Sequence, residues 1–511
     1  MKRFDGTETV QQAVPDILYD ESRYESGTPS SVCYPESVEE LRAVLIEATS
    51  KKQPVTFVGA QTGTTGGAVP VDGCCAVAFS SMKRIVAITA DTPSDPVLVC
   101  EPGITLDEIG QFLEAPREWP YKVPGIEVLE AGKWMYPPDP TEMTAQLGGT
   151  VATNASGARS YLYGPTRDHV AFIDIVFADG STATLLRKND HPWNRRIVND
   201  QGRTITLPGL PYKSLAIKNA AGYYNMPDMT PADPFIGSEG TLGALARIGI
   251  QLKRKPEMLA GLTFFSSAEQ AFDFADFLRK EPDVAAVEFF DEGSLRFIDH
   301  YRNRLPESFP LFPQGAAAAL LWEFIEKTPG SFESRMERWE ERLVGCGSSF
   351  DDTWSGFDEK EKQRLHHFRH ALPETVNSII AENKKQYGNI RKVGTDSAFP
   401  GAVFRAMYAE TMNRIRESGL AFAAFGHLGD YHLHINLIPS TSEELDKALA
   451  LYADLMRLAV DNGGTVSAEH GIGKIKKMYL LQMYGTEGIE GMKRLKTALD
   501  PLGLLNPGNL F

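Results

Sequence analysis

Apolar and polar positions follow two different rhythms along the chain, and the change falls near Lys255. Before it, Val38, Leu41, Val44, Leu45 and Ala48 recur at helical spacing behind Ser37 and Glu40, a capping-box pair. That spacing predicts an amphipathic helix over residues 37–53. Residues 54–58 read as a short strand running into a Gly- and Thr-rich loop, and 97–100 as another strand. Thr105 with Glu108 caps the next helix, and 171–178 followed by Asp179-Gly180 predicts a strand entering a hairpin turn. The stretch 191–234 is rich in Pro, Asn and Asp and reads as a surface excursion.

Beyond Lys255 the pattern becomes strand, helix, strand over 259–265, 268–280 and 284–290, and similar elements follow over 317–325 and 333–344. Two such units predict a split β-α-β sandwich of ferredoxin-like type. Residues 356–386 read as a polar helix interrupted by Pro373.

A chain of 511 residues exceeds a single core, so two or three domains are expected. With 67 acidic and 52 basic residues the formal charge is −15, and no basic stripe is present, which argues against a nucleic-acid partner. The first ten residues lack the apolar run of a signal peptide, and no stretch approaches the ~18 apolar residues of a spanning helix. Five cysteines, at 33, 74, 75, 100 and 346, show no CxxC spacing, which speaks against a disulfide framework, a zinc ribbon or an iron–sulfur cluster. A reduced, cytoplasmic setting fits this usage, with contact at the inner face of a membrane left open.

Four segments look built to wrap a flat, phosphate-bearing cofactor. The first is Val58, Gly59, Ala60, Gln61, Thr62, Gly63, Thr64, Thr65, Gly66 and Gly67, where glycines let backbone N–H groups approach an anion and threonines add hydroxyls. Alone it reads equally well as a set of turns, and it matches neither the P-loop nor GxGxxG. The second runs from Pro137 to Val170 through Gly148, Gly149, Ala152, Thr153, Asn154, Ser156 and Gly157. The third is 235–243, with Gly237, Glu239, Gly240 and Thr241, and the fourth is 504–508 around Asn506.

In this order and with these separations the four motifs resemble the FAD-binding domain of the vanillyl-alcohol oxidase and p-cresol methylhydroxylase superfamily. Within it the chain resembles the branch of D-lactate dehydrogenase, the glycolate oxidase FAD subunit and D-2-hydroxyglutarate dehydrogenase, from about Pro35 to the C-terminus. The resemblance implies an α+β fold: a two-subdomain FAD-binding domain over 1–255, an α+β cap with a ferredoxin-like antiparallel sheet over 256–465, and a segment over 466–511 that returns to the cofactor. It implies that residues 59–67 hold the pyrophosphate, that Pro138 and the stretch from Thr144 to Ser156, with Gly237 to Thr241, line the rest of FAD, and that Asn506 closes over the flavin. The cradle contains no His, the usual covalent attachment site in the superfamily, so dissociable FAD is expected. Many relatives carry Lys where Asn509 stands, which leaves that contact open.

A second constellation concerns metal chemistry. Residues 427–434 hold three of the ten histidines, far above chance, and the alternation puts His432, His434 and Asn436 on one strand face. Glu469-His470-Gly471 follows 35 residues after His434, and two imidazoles with a carboxylate form the ligand set of a catalytic divalent metal with open positions. A solvated polar face is the plainer alternative. The family pattern assigns His427, His434 and Glu469 as ligands of zinc or manganese, His470 as base, and Asn436 as a neighbour of substrate or metal. Where many relatives have Gly-Asn this chain has Tyr431-His432, so His432 is either a further ligand or a substrate contact.

His366 and His370, one helical turn apart, form a rival metal pair on what reads as an exposed face. Arg369 has a guanidinium suited to gripping a carboxylate and stands where the family places a substrate Arg; an ordinary surface Arg is the alternative. The family's next anchor, a Lys near an Asp-x-x-x-Pro pattern, is out of register: Asp396 to Pro400 matches, but Lys392 lies four residues before Asp396 rather than two, so either Thr395 substitutes or the substrate differs. The resemblance thus implies oxidation of a D-2-hydroxy acid to the 2-oxo acid by metal-assisted hydride transfer to flavin, with Arg369 on the substrate carboxylate and His470 taking the hydroxyl proton. Electrons would pass to a quinone, a cytochrome, another flavoprotein or oxygen, and a homodimer is compatible with the pattern. Two alternatives stay open: a metal-free FAD oxidase of a phenolic alcohol, and a non-redox transferase resembling alkyl-dihydroxyacetone-phosphate synthase.

Overall fold

The computed structural model describes residues 1–92, 94–187, 193–302, 310–328 and 330–511. The chain divides into two compact units. Met1–Ser156, Gly164–Lys255 and Glu469–Phe511 form the first; Gly157–Tyr163 and Pro256–Ala468 form the second.

The first unit contains two principal sheets. One has four strands, β1 (Lys2–Asp5), β2 (Ser31–Tyr34), β3 (Val55–Val58) and β4 (Cys75–Ala78), in the order β1-β2-β4-β3, with β4 parallel to both β2 and β3. Helix α1 (Val38–Ser50) supplies the crossover that parallel pairing needs. Its buried face is Leu41, Val44, Leu45 and Ala48, packed with Val55, Cys75 and Val77, and each fully buried Leu or Val contributes roughly 1.5–3 kcal/mol. Ser37 caps it as expected by accepting from the Glu40 N–H. The capping box is only half made, because the Glu40 carboxylate turns to the Glu36 N–H and the chain's amino terminus instead. The second sheet is wholly antiparallel: β5 (Ile85–Ala90), β6 (Pro96–Cys100), β7 (Val170–Val176), β8 (Thr182–Leu186) and β9 (Ala244–Gln251), in the order β5-β6-β9-β7-β8. Thr105 and Glu108 do complete a reciprocal box ahead of α2 (Leu106–Glu114). The excursion begins at residues 191 and 192, which lie outside the described residues; its remainder carries a small hairpin, Arg196–Val198 with Thr204–Thr206.

The second unit is built on an eight-stranded sheet. Strands β10 (Glu257–Phe265), β11 (Val284–Asp291), β12 (Ala318–Glu326) and β13 (Thr353–Gly356) run in the order β13-β10-β12-β11. Helices α3 (Ala268–Leu278) and α4 (Glu333–Gly345) follow the first and third of these, and this is the ferredoxin-like sandwich read from the alternation. The sheet continues beyond β11 through β16 (Phe422–Gly426) and β17 (His432–Leu437), with the two-residue strands β14 (Val393–Gly394) and β15 (Ser397–Ala398) pairing along β17. The break expected at Pro373 is absent: α5 (Glu359–Gln386) runs through it. Proline removes one backbone donor, but Leu365, Phe368, Leu372 and Val376 stay buried against Phe290, Leu321 and their neighbours, and that packing outweighs the lost bond. Among the described residues no helix is long and apolar enough to cross a membrane.

Candidate functional site

In the first unit, β3 ends at Val58 and delivers the glycine-rich loop. Gln61 is turned away from it, its amide donating to the carbonyls of Asp16 and Tyr19. The loop's far end is held by the closing segment. Lys474 is buried and donates to the Gly66 carbonyl at 3.0 Å and to Asn509 Oδ1 at 2.9 Å, and Asn509 donates to the Gly67 carbonyl at 2.9 Å. Asn509 is therefore tied to a lysine that arrives from position 474. Glu239 accepts the N–H groups of Ile472 and Gly473 at 2.6 and 2.7 Å. Gly473 has φ +52, and a Cβ there would meet the Thr65 carbonyl at 2.1 Å, so only glycine passes. Burial pushes the Glu239 carboxyl up to about 6 and the Lys474 ammonium down to about 8, against the pull of each charge on the other.

Asn506 bridges the Phe57 N–H and the Glu239 carbonyl, each at 2.7 Å. Thr241 is fully buried, with its hydroxyl shared between Tyr223 and the Ser238 carbonyl. Asn154 closes the short helix Leu147–Thr153 with φ 51 and accepts the Arg167 N–H, while Thr153 donates to the Gly149 carbonyl. Thr144 is exposed and bonded to Glu142. Pro138 and Gly237 are buried, and Gly157 belongs to the second unit.

Two glycines test whether these segments suit a bound flavin nucleotide. A Cβ on Gly149 would meet nothing within 4 Å, and one on Gly63 would come no closer than 3.9 Å to Asp20. Neither carries a positive φ, so packing and backbone strain leave the missing side chains unexplained. A flavin nucleotide lying against both would fill that space, and the residues present fit such a group.

In the second unit, β16 runs into His427, a short turn over Leu428–Asp430 reverses the chain, Tyr431 takes the left-handed conformation at φ 55, and β17 returns. This hairpin gathers three imidazoles. Ring centroids are 4.5 Å apart for His432 and His434, 5.3 Å for His427 and His432, and 5.5 Å for His427 and His434. One nitrogen from each lies within 4.8 Å of the others. Each of two rings is backed by a carboxylate. His427 Nδ1 is 2.6 Å from Glu288 Oε1, and His432 Nε2 is 3.2 Å from Asp396 Oδ1, all four side chains being almost wholly buried. Asp396 also accepts the Ser467 hydroxyl at 2.7 Å.

Arg369 is no ordinary surface arginine. Its side chain is 18% exposed, and its Nε stands 3.4 Å from Glu288 Oε2, so Glu288 spans His427 and Arg369. Behind them Glu323 takes a two-pronged contact from Arg159, at 2.7 and 3.1 Å, and the guanidinium beside it holds that carboxyl below its usual range despite burial. Lys392 is exposed and bonded to Asn377, and the Thr395 hydroxyl accepts the Ile435 N–H at 3.2 Å, so their neighbour Asp396 is the residue that reaches the cluster. Asn436 is buried on β17, opposite Gly394. The rival pair His366 and His370 has ring centroids 4.4 Å apart, yet neither belongs to any group of three or more close ligands among the described residues.

Glu469 and His470 open the first unit's closing segment. Glu469 Oε1 is held by Lys218 at 2.5 Å and by the Ser156 hydroxyl at 2.9 Å, so Ser156 is spent on Glu469. The His470 carbonyl accepts the Thr65 hydroxyl at 3.3 Å. Glu288, Asp396 and Lys218 were missed in the sequence. Two of them carried a signal: Glu288 is the lone acid inside the apolar run Val284–Phe290, and Asp396 is the acid of the pattern credited to Lys392 and Thr395.

Residues 29–123 and 126–186 match the family model described as FAD binding domain, which makes the first unit a flavin-binding one. Residues 255–510 match the model described as FAD linked oxidases, C-terminal domain, and the chain belongs to the FAD-linked oxidases. It is 27% identical over 508 residues to the glycolate oxidase subunit GlcD of Bacillus subtilis, covering 96% of this chain and 91% of that one. It is 27% identical to a D-2-hydroxyglutarate dehydrogenase of Stutzerimonas stutzeri, over 96% and 93% of the two chains. The D-lactate dehydrogenase of Archaeoglobus fulgidus is also 27% identical, over 94% and 90%. Among solved structures, an alkyldihydroxyacetonephosphate synthase superposes with a TM-score of 0.61 at 14% identity, covering 98% of this chain and 83% of that one, a likeness of fold.

Proposed function

We propose that this chain is an FAD-linked dehydrogenase of D-2-hydroxy acids, in which the first unit holds dissociable FAD and the second presents the substrate face and a divalent cation, zinc or manganese. The histidine cluster carries the reading. Imidazoles on one hairpin, two of them backed by buried carboxylates, are a donor set for a divalent cation and a poor surface for an uncharged phenol. The relatives named for D-lactate, D-2-hydroxyglutarate and glycolate support oxidation over group transfer. When bound, FAD supplies a two-electron acceptor and the cation a positive charge beside the substrate hydroxyl.

The chain's own residues do the rest. Arg369 binds the substrate carboxylate, and its contact with Glu288 fixes the aim of the guanidinium. His427 and His434 hold the cation, and within the first unit Lys218 and Ser156 keep one oxygen of the Glu469 carboxylate in place. His470 accepts the hydroxyl proton.

The test is anaerobic mixing with D-lactate, D-2-hydroxyglutarate and glycolate, with L-lactate as control. At least one of the first three is expected to bleach the flavin and yield its 2-oxo acid. A fully flavinated protein that none of them bleaches would overturn the proposal.

A further inference from the structure

We infer that His432 is a third imidazole ligand of the cation, so that the hairpin His427–His434 binds a zinc-like ion through three nitrogens, with Glu288 and Asp396 as positioning carboxylates. This rests on the proposed function only in assuming that a divalent cation is bound.

Three observations converge on it. The first is distance. A tetrahedral zinc centre with bonds of about 2.0–2.1 Å sets its nitrogens roughly 3.3 Å apart. The three rings already bring one nitrogen each within 4.8 Å of the others, at most about 1.5 Å beyond that spacing.

The second is the outer contacts. A metal-bound imidazole characteristically donates its other N–H to a carboxylate, which fixes the tautomer and raises ligand basicity. Glu288 is hydrogen-bonded at His427 Nδ1, which selects Nε2 of that ring as ligand, and Asp396 Oδ1 lies 3.2 Å from His432 Nε2, a carboxylate in place beside the second ring.

The third is charge and access. His432 and Asp396 are both fully buried, and two carboxylates, Glu288 and Asp396, set beside the imidazoles favour a doubly charged cation among them, with Arg369 answering Glu288 of the two. His434 is only half-buried and leaves the cluster a way in for an ion.

The experiment uses the full-length flavinated protein, stripped with a chelator and titrated with zinc, with imidazole ligands counted by zinc K-edge X-ray absorption. Wild type is expected to bind one zinc with three imidazoles. His432→Ala should show two, with Kd raised about a hundredfold or more, beyond the range of outer-contact losses. Asp396→Asn should keep three imidazoles and raise Kd about 10- to 100-fold. His432→Gln, closer in volume, repeats the ligand count if the alanine variant misfolds, and flavin content with circular dichroism reports folding in each case. Absence of stoichiometric zinc in the wild type, or an unchanged imidazole count and Kd in His432→Ala and His432→Gln, overturns the inference. Bleaching by hydroxy acid on the same preparation reports separately on the proposed function.

Discussion

Each unit buries a knot of charged and amide side chains, and the two knots are tied differently. In the first, Glu239, Lys474, Asn506 and Asn509 spend their hydrogen bonds largely on backbone N–H and C=O groups drawn from β3, the glycine-rich loop and the closing segment. In the second, His427, His432, Glu288, Asp396, Arg369 and Arg159 are held mainly by one another or by Glu323. Side chains clamped to backbone freeze the path of the main chain, which is what a cofactor cradle requires. Side chains held by other side chains freeze the position of nitrogens and charges, which is what binding a cation and an acid requires.

The largest expected effect tests a residue that crosses this division. His470 lies on the clamped segment of the first unit but is assigned chemistry. His470→Ala should slow flavin reduction by substrate about 10²–10⁴-fold, the ordinary range for a general base, and leave FAD content normal, because the Thr65 bond goes to a backbone carbonyl that alanine keeps. Reduction at the wild-type rate would return His470 to a purely structural role. Next, Arg369→Ala should raise KM for the hydroxy acid about a hundredfold, roughly 3 kcal/mol for a charge-assisted contact, without lowering thermal stability in proportion. An unchanged KM with wild-type turnover would leave Arg369 as a partner of Glu288 alone.

The first unit should answer in the opposite sense. Glu239→Ala strands two buried N–H groups and should lower stability by roughly 2–4 kcal/mol, with FAD lost from what remains folded. A destabilised fold that has lost FAD would sharpen the contrast; normal stability with full FAD content would break it. Gly149→Ala is subtler. Nothing within 4 Å opposes a Cβ there and alanine favours the helix by up to about 1 kcal/mol, so the apoprotein should become slightly more stable while FAD binds at least tenfold more weakly. Equal FAD affinity would remove this helix from the cofactor surface.

The smallest effect is a pH trend. Lys474 is held near pKa 8 when folded and returns to the ordinary lysine range on unfolding. Between about pH 8 and that range the unfolded chain keeps a proton that the folded chain has released, so this residue's contribution to stability rises with pH. Denaturant unfolding of wild type and Lys474→Met across this window should show the wild type gaining on the variant as pH rises, and parallel curves would mean that Lys474 stays charged when folded.

Much of the architecture was legible in the order of residues, because periodicity is a local property. Helix α1, the β7–β8 hairpin and the two strand–helix units of the sandwich all follow from apolar spacing, and so does the shared face of His432 and His434, since alternate residues of a strand must point the same way. What failed was local reasoning about groups whose fate depends on distant partners. Pro373 should break a helix by its own chemistry, and the sheet beneath α5 overrides it. Glu288 lies 139 residues from His427 and reads as a stray acid in a strand, while Asp396 passes for part of a loop pattern credited to Lys392 and Thr395. A buried carboxylate takes its meaning from whichever polar group the tertiary fold sets against it. Strand order in the eight-stranded sheet, which no local rule encodes, makes that choice by seating β16 beside β11 and β15 beside β17.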